Sequence, residues 1–328
     1  MGEKIGIIGA GGWGIALSIL LNRLKYKIYM WEPLKENYEI LLKKRGNPAY
    51  FKGIKIPLSI EISNSIKDVI SKTEILIIVV RSSFFKETVK LIKKFYNNQP
   101  ILIGTKGLDF RNCKRMSEIL KEVIDTENFA VISGPTIARE IVKGYPTAAV
   151  IASYNKYIAE YFQKLISCEK FRIYTSNDVI GVETGGSFKN VIAIGAGIID
   201  GLSLGMNTKA SYLSRGLNEM IKIGKTLGGK EETFRGLSGL GDLITTSFSK
   251  YSRNRSFGEG IVKIGKDEYL KKTKMVIEGM PATKAFYKLS KKYNIELPIT
   301  ESIYRIIYKN TNPLNEIKKL MLRELKKE

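Results

Sequence analysis

A lysine in an unusual setting and an acid that lacks an obvious partner are the side chains of this sequence best suited to chemistry. Lys189 stands in ETGGSFKNVIAIGAG, with Gly185 and Gly186 one turn before it and Ala193 and Ala196 after it on a helical reading. Small residues mark close packing, where an unpaired ammonium is costly, so a lysine kept there beside Asn190 points to a functional group. Asp242, enclosed in GLSGLGDLITT, poses the complementary question, because a carboxylate among glycines and apolar residues asks for a cation such as a lysine. The chain has no histidine, which removes imidazole as a general base and rules out the usual zinc sets of His and Cys. Its two cysteines, Cys113 and Cys168, have neither metal-site spacing nor the number for a disulfide framework. Proton transfer must fall to lysine, carboxylate, hydroxyl or a bound cofactor, and no metal is expected.

A cofactor is what the opening residues suggest. In IGIIGAGGWGIAL, Gly9, Gly11 and Gly14 form the pattern G-x-G-x-x-G behind an apolar strand and ahead of a helix-forming segment. The first glycine permits a tight turn, the second lets a pyrophosphate approach bare backbone, and the third lets helix and strand pack closely. The helix N-terminus then offers free N–H groups and partial positive charge to the phosphates. Glu32 closes the next strand, KIYMWE, near the roughly 20-residue offset at which an acid binds the ribose 2′-hydroxyl. A carboxylate there repels a 2′-phosphate and no arginine follows it, which favours NAD over NADP.

Two further loops sit where an open α/β sheet binds ligands, past the carboxyl ends of strands. GTKGLD carries Lys106, and ISGPTIARE carries Gly134, Pro135 and Thr136. Later, SRNR crowds Arg253, Asn254 and Arg255 together. It reads either as an exposed basic loop or as a phosphate clamp, since guanidinium presents a planar fork to oxyanions.

The elements that must position these residues alternate in type. Strands are predicted at residues 4–8, 27–31, 74–80, 100–105, 129–133, 147–153 and 171–175, with helix-period stretches such as 84–95 and 116–124 between them. Such alternation implies βαβ units and a parallel sheet. Beyond about residue 178 only helices are predicted, at 179–199, 210–227, 284–292 and 302–308, with an amphipathic tail from Leu314. The 328 residues allow two domains, and the boundary falls near 176–190. The net charge of +22 raises nucleic acid as a partner. The lysines are scattered among many Ile, Asn and Tyr with no dense basic block, however, which reads as compositional bias, and no nucleic-acid partner is expected. No apolar run approaches the roughly 20 residues of a membrane span; the best, 191–199, stops at Asp200. With a strand already under way at Ile5 there is no room for a targeting peptide, so a cytoplasmic location without integral membrane contact is expected.

Taken together, GAGGWG, TKGL, SGPT-x-ARE, VIGVETGGSFKNVIAIGAGI-x-DGL, GLSGLGDLITT, SRNR and the EG at Glu278 resemble the NAD(P)-dependent glycerol-3-phosphate dehydrogenases of bacterial type, in order from about residue 4 to about 310. The resemblance implies an α/β Rossmann-like N-terminal domain with a mostly parallel sheet over residues 1–180. It implies an all-α C-terminal domain like that of 6-phosphogluconate dehydrogenase over 181–328, a cleft between the two, and a homodimer. It also implies reversible reduction of dihydroxyacetone phosphate to sn-glycerol 3-phosphate with NAD or NADP as cofactor, NAD being the one favoured here, feeding phospholipid synthesis. Carried residue by residue, Lys189 matches the proton acceptor and donor, Lys106 a second lysine touching substrate and cofactor, and Asp242 the carboxylate that orients the reacting lysine. Gly134, Thr136, Thr246, Ser252, Arg253 and Asn254 match substrate positions. Gly12, Trp13, Lys106, Ala138, Arg253, Val276 and Glu278 match cofactor positions beside Gly9, Gly11, Gly14 and Glu32. Where many relatives carry Gly or Ala and then Arg, this chain has Glu32-Pro33, against NADP. A lysine is a poor base at neutral pH, and the second ammonium together with partial desolvation is expected to lower its pKa. Competing readings are another reductase of the same build acting on a hydroxyacid or a ketopantoate-like substrate, a dinucleotide sensor that needs neither lysine, and a nucleic-acid binder.

Overall fold

The computed structural model describes residues 3–47, 50–51, 53–273, 276–325 and 327. The chain divides into two compact units, Met1–Lys106 with Met116–Val182, and Gly107–Arg115 with Glu183–Glu328.

The first unit alternates strand and helix: β1 (Lys4–Ile8), α1 (Gly12–Arg23), β2 (Lys27–Trp31), α2 (Lys35–Lys44), β3 (Glu61–Ser63), α3 (Ile66–Ser71), β4 (Ile75–Ile78), α4 (Ser82–Lys93), β5 (Ile101–Ile103), α5 (Met116–Ile124), β6 (Phe129–Ser133), α6 (Ala138–Lys143), β7 (Thr147–Ala152), α7 (Lys156–Ile166) and β8 (Phe171–Ser176). One sheet holds all eight in the order β3-β2-β1-β4-β5-β6-β7-β8, parallel throughout except between β6 and β7. The central strands read as continuous apolar runs because helices cover both faces: every residue of β4 and β5 is buried. The outermost strand β8 instead alternates buried and exposed residues. The helices dock by one stripe each, as in α4, where Phe85, Val89 and Ile92 are buried at helical spacing. Two clusters fill the two faces, one around Ile7, Leu17 and Phe162, the other around Ile78, Phe85 and Phe129.

The parallel alternation follows the sequence expectation, with two differences. The strands predicted at 74–80 and 100–105 pair only over Ile75–Ile78 and Ile101–Ile103, since their last residues leave the ladder to build the loops at its carboxyl edge. The short β3 was not foreseen, because Glu-Ile-Ser carries too little pattern to register. The order runs outward in both directions from β1 and β4, so the carboxyl ends of β1, β2 and β4 adjoin: Ile8 pairs with Trp31 on one side and Ile78 on the other. That reversal is where an open α/β sheet leaves a crevice for a ligand.

The second unit is helical: α8 (Val179–Gly201), α9 (Gly205–Thr226), α10 (Glu231–Arg235), a π-helical turn at Leu237–Gly241, α11 (Asp242–Phe248), α12 (Arg253–Ile264), α13 (Lys266–Lys272), α14 (Gly279–Lys292), α15 (Pro298–Lys309) and α16 (Pro313–Met321). Among the described residues no strand follows Ser176. The pieces from α10 to α13 were not predicted: α10, α11 and α13 have five to seven residues each, and α12, with 12, is interrupted by Gly258 and Gly260. Residues 181–199 of α8 are buried without a break, its polar residues Glu183, Lys189 and Asn190 along with the apolar ones. Its neighbours approach at small residues: a Cβ on Gly258 of α12 would lie 1.9 Å from the Ile194 carbonyl oxygen, and one on Gly197 the same distance from that of Arg255. The segment Gly107–Arg115 belongs to this unit, with Leu108 in its core, Cys113 donating to the Ala285 carbonyl at 3.6 Å and Arg115 paired with Glu183 at 3.4 Å. Among the described residues no helix is long and apolar enough to cross a membrane.

Candidate functional site

In the first unit the three motif glycines do different work. Gly9 has φ +120°, a conformation open to glycine, and its amide continues the ladder by donating to the Trp31 carbonyl at 3.2 Å. Gly14 is a point of contact, where a Cβ would lie 1.9 Å from the Gly9 carbonyl oxygen, so α1 can start this close to β1 only without a side chain. Gly11 faces nothing within 4 Å and is the N-cap residue of α1. That end of the helix has no side-chain cap and no acid in its first turn, so its N–H groups and dipole are left for an outside anion. Next to it, the buried Trp13 Nε1 has no hydrogen-bond partner among the described residues. Bare backbone, free helix N–H groups and an orphaned donor fit a dinucleotide's pyrophosphate.

Glu32 follows β2 and is 7% exposed, so it is not the solvated strand-end residue it could have been. Burial pushes its pKa up, while the Leu34 amide, the Asn37 side chain and the charge of Arg81 pull the other way. Its Oε1 accepts from Leu34 N at 3.0 Å, which fixes the carboxyl group at the sheet's carboxyl edge. Past β5, the Lys106 ammonium donates to the Gly134 carbonyl at 3.0 Å and to Thr136 Oγ1 at 3.2 Å, bringing together residues of two loops. Gly134 has φ +143°. Ala138 opens α6 and is half-buried.

In the second unit Lys189 and Asp242 meet. The ammonium donates to Asp242 Oδ1 at 2.5 Å, with the two side chains only 9% and 2% exposed. The local sequence explains the encounter. The π-helical turn before Asp242 is tight at Gly239, where a Cβ would lie 2.0 Å from the Phe234 carbonyl oxygen, and it approaches α8 at Gly185, where a Cβ would lie 2.7 Å from that of Ser238. The glycines around both charged residues bring one backbone against the other, and wide turns of this kind recur at functional sites. Thr246, one turn on, donates its hydroxyl to the same carboxylate oxygen at 3.3 Å.

SRNR divides between roles. Ser252 caps α12, its Oγ accepting from Arg255 N at 3.2 Å, which leaves the hydroxyl hydrogen free to donate. Arg253 is exposed. Asn254 is buried, donating to Asn190 Oδ1 at 2.8 Å and accepting from Gly279 N at 2.9 Å, and so ties the residue after Lys189 to the start of α14. Val276 is half-buried and Glu278 is the N-cap residue of α14. Arg255 turns away from its neighbours to Asp200, Nε to Oδ2 at 2.6 Å. Asn190, Asp200 and Lys209 were not assigned roles from the sequence. Asn190 stood beside the lysine and Asp200 ended the apolar run, but nothing local announces Lys209. Among the described residues no group of three or more His, Cys, Asp or Glu is placed to hold a metal ion.

Residues 4–159 match the family model for the N-terminus of NAD-dependent glycerol-3-phosphate dehydrogenase and residues 178–318 the model for its C-terminus. A glycerol-3-phosphate dehydrogenase (NAD(P)+) of Halothermothrix orenii is 42% identical over 335 residues, spanning 100% of this chain and 97% of its own. The same-named protein of a Thermoanaerobacter species is 42% identical over 330 residues, spanning 99% and 98%. The crystal structure of glycerol-3-phosphate dehydrogenase from Coxiella burnetii superposes with a TM-score of 0.95 at 34% identity, covering 98% of this chain and 99% of that one. With both halves matched in order and the fold shared over nearly its whole length, the chain belongs to the NAD-dependent glycerol-3-phosphate dehydrogenases.

Proposed function

We propose that Lys189 is the proton-transferring group of this oxidoreductase, accepting the proton of the C2 hydroxyl of sn-glycerol 3-phosphate in one direction and returning it to dihydroxyacetone phosphate in the other. The observation that carries this reading is the buried Lys189–Asp242 pair at 2.5 Å. An ammonium held by a fixed carboxylate has one orientation, which is what proton exchange at a single substrate atom needs. Asp242 orients the lysine and Thr246 steadies Asp242. Lys106, Gly134 and Thr136 are further substrate contacts, while Ser252, Arg253 and Asn254 take the substrate phosphate.

The residues that hold the cofactor are Gly9, Gly11, Gly12, Trp13 and Gly14 around the start of α1, with Glu32, Lys106, Ala138, Arg253, Val276 and Glu278. When bound, the nicotinamide supplies the hydride-transfer chemistry. The protein's part is to bind, to orient and to move one proton. Glu32 supports NAD over NADP, since a carboxylate fixed at the end of β2 disfavours a 2′-phosphate. Residues 1–180 serve as the cofactor domain and 181–328 as the substrate domain. The working form is a cytoplasmic homodimer, and the product enters phospholipid synthesis.

The experiment is to follow the loss of reduced-nicotinamide absorbance when purified protein meets dihydroxyacetone phosphate, in parallel with NADH and NADPH. Turnover favouring NADH supports both the reaction and the Glu32 reading. A preference for NADPH keeps the reaction and removes the Glu32 reading. Tight cofactor binding without turnover overturns the assignment of the substrate.

A further inference from the structure

We propose that Lys209, Asp200 and Arg255 form a positioning device that fixes the linker between α11 and α12, and with it the phosphate contacts at Ser252, Arg253 and Asn254. The inference rests on the reading of those three residues as phosphate contacts. Lys209 on α9 is 4% exposed, and its ammonium donates to both oxygens of Asp200, at 2.9 Å and 2.8 Å. Burying such a pair is expensive, and replacing it by apolar residues is often neutral or stabilising, so the question is what the pair holds.

It holds both ends of one loop. On the far side, Asp200 Oδ2 accepts from Arg255 Nε at 2.6 Å, and Arg255 stands in the first turn of α12. On the near side, the Lys209 ammonium lies 4.5 Å from the ring centroid of Phe248, the last residue of α11. Between Phe248 and Arg253 runs the linker 249–252, tightened by Ser252 N donating to the Ser249 carbonyl and Tyr251 N to Ser249 Oγ, each at 3.1 Å. The glycine contacts between α8 and α12 set how closely those helices cross, but they offer no side chain to set how α12 is turned about its axis. Two side chains of α12 supply that constraint, Asn254 through its bond to Asn190 of α8 and Arg255 through its guanidinium on Asp200, and of the two Arg255 is the one tied to Lys209. The outer nitrogen of Arg255 reaches Glu259 at 3.6 Å, and Glu259 takes the exposed Lys263 at 2.5 Å.

The two arginines of SRNR thereby separate. Arg255 is spent inward, so that Arg253 and the Ser252 hydroxyl are presented in one arrangement, sparing the loop the cost of ordering itself when substrate arrives.

The test uses the full-length enzyme with Lys209→Met and Arg255→Met, and reads KM for dihydroxyacetone phosphate and Ki for inorganic phosphate as a competitive inhibitor. Both constants are expected to rise about tenfold while kcat stays within about threefold, the signature of lost ground-state binding. Arg255→Lys recovers part of the loss, and Lys263→Met, at the exposed rim, changes neither constant. Arg253→Ala separates the two layers of the reading. If it leaves Ki for phosphate unchanged, the phosphate assignment fails and this inference falls with it. If it raises Ki while folded Lys209→Met and Arg255→Met keep wild-type constants, the assignment stands and the positioning role alone is overturned. A uniform fall of every parameter without rescue by Arg255→Lys also overturns it. Should a single variant not fold, Asp200→Asn with Lys209→Met removes one charge of each sign and is measured in the same way.

Discussion

The two units prepare for ligands by opposite means. At the carboxyl edge of the sheet, between β1 and α1, the first unit removes side chains until backbone N–H groups stand open at Gly11. The second unit does the reverse around α8, sinking charged side chains into an apolar helical packing: Lys189, Lys209, Asp242 and Glu219 are all less than 9% exposed. Bare backbone suits a phosphate that must be held and released, because its dipoles neither titrate nor move. A buried ion suits a group that must transfer a proton in one geometry, because its partner fixes it and low dielectric strengthens every contact. Glu32 is the exception in the first unit, a buried acid at the end of β2 to which we assign the choice between cofactors.

The contrast breaks most visibly at Lys189. Lys189→Ala is expected to lower kcat by about 10²- to 10⁴-fold, the usual range for a general acid–base group, with the dissociation constant for NADH, read by fluorescence titration, nearly unchanged. Loss of turnover and NADH binding together would make the residue structural.

Glu219 gives the next largest effect. Its carboxyl group accepts from the Ile299 amide at 2.5 Å, the Thr300 amide at 3.0 Å and the Thr300 hydroxyl at 2.8 Å, capping α15 from α9. Burial outweighs those bonds and raises its pKa from 4.5 to about 7. An acid whose pKa is higher in the folded state binds more protons there than in the unfolded chain. Its contribution is therefore full below about pH 4.5 and is lost as pH rises through about 7. The loss amounts to about 3 kcal/mol at 1.36 kcal/mol per unit. Melting curves between pH 4.5 and 8 should slope downward from this group, and Glu219→Gln should flatten that component; identical profiles would show that Glu219 does not titrate in this window.

Gly14→Ala attacks the backbone side of the comparison. The added methyl must displace the Gly9 carbonyl, at about 1–3 kcal/mol, the usual cost of overpacking. The melting temperature and the affinity for NADH should fall together. An unchanged NADH affinity would separate the turn from the cofactor.

The smallest expected change is in preference. Glu32→Ala should raise kcat/KM with NADPH relative to NADH by about tenfold, near the low end of a charge–charge repulsion at a protein surface. An unaltered ratio would assign Glu32 to capping the Leu34 amide alone.

How far these regions were legible differs with their physics. The β1–α1 turn is largely local: its three glycines and the acid at the end of the next strand lie between Ile5 and Glu32, so spacing exposed it, although Gly9 also faces the backbone of Val79 and Val80. The lysine of α8 was legible as an anomaly, since Gly185 and the alanines around it signalled close packing. What approaches that helix had no local signature: the family resemblance implied that Asp242 orients this lysine, but the π-helical turn that brings it there is made by residues some fifty positions on. The helices between Glu231 and Lys272 escaped notice for a related reason. Three of them are of five to seven residues, too short to show a period, and in the fourth, α12, Gly258 and Gly260 stand where the buried stripe would otherwise carry apolar side chains.

From the amino-acid order alone came the alternation of strand and helix, the loss of strands after about residue 178, the dinucleotide turn and the absence of imidazole chemistry. These depend on local periodicity and composition, which one sequence contains in full. The pairing of Lys189 with Asp242, the division of labour between Arg253 and Arg255, and the burial of Lys209 and Glu219 were decided only by the tertiary structure. Each depends on which distant backbone a glycine admits and which charge is left without water, and both are properties of the packed chain.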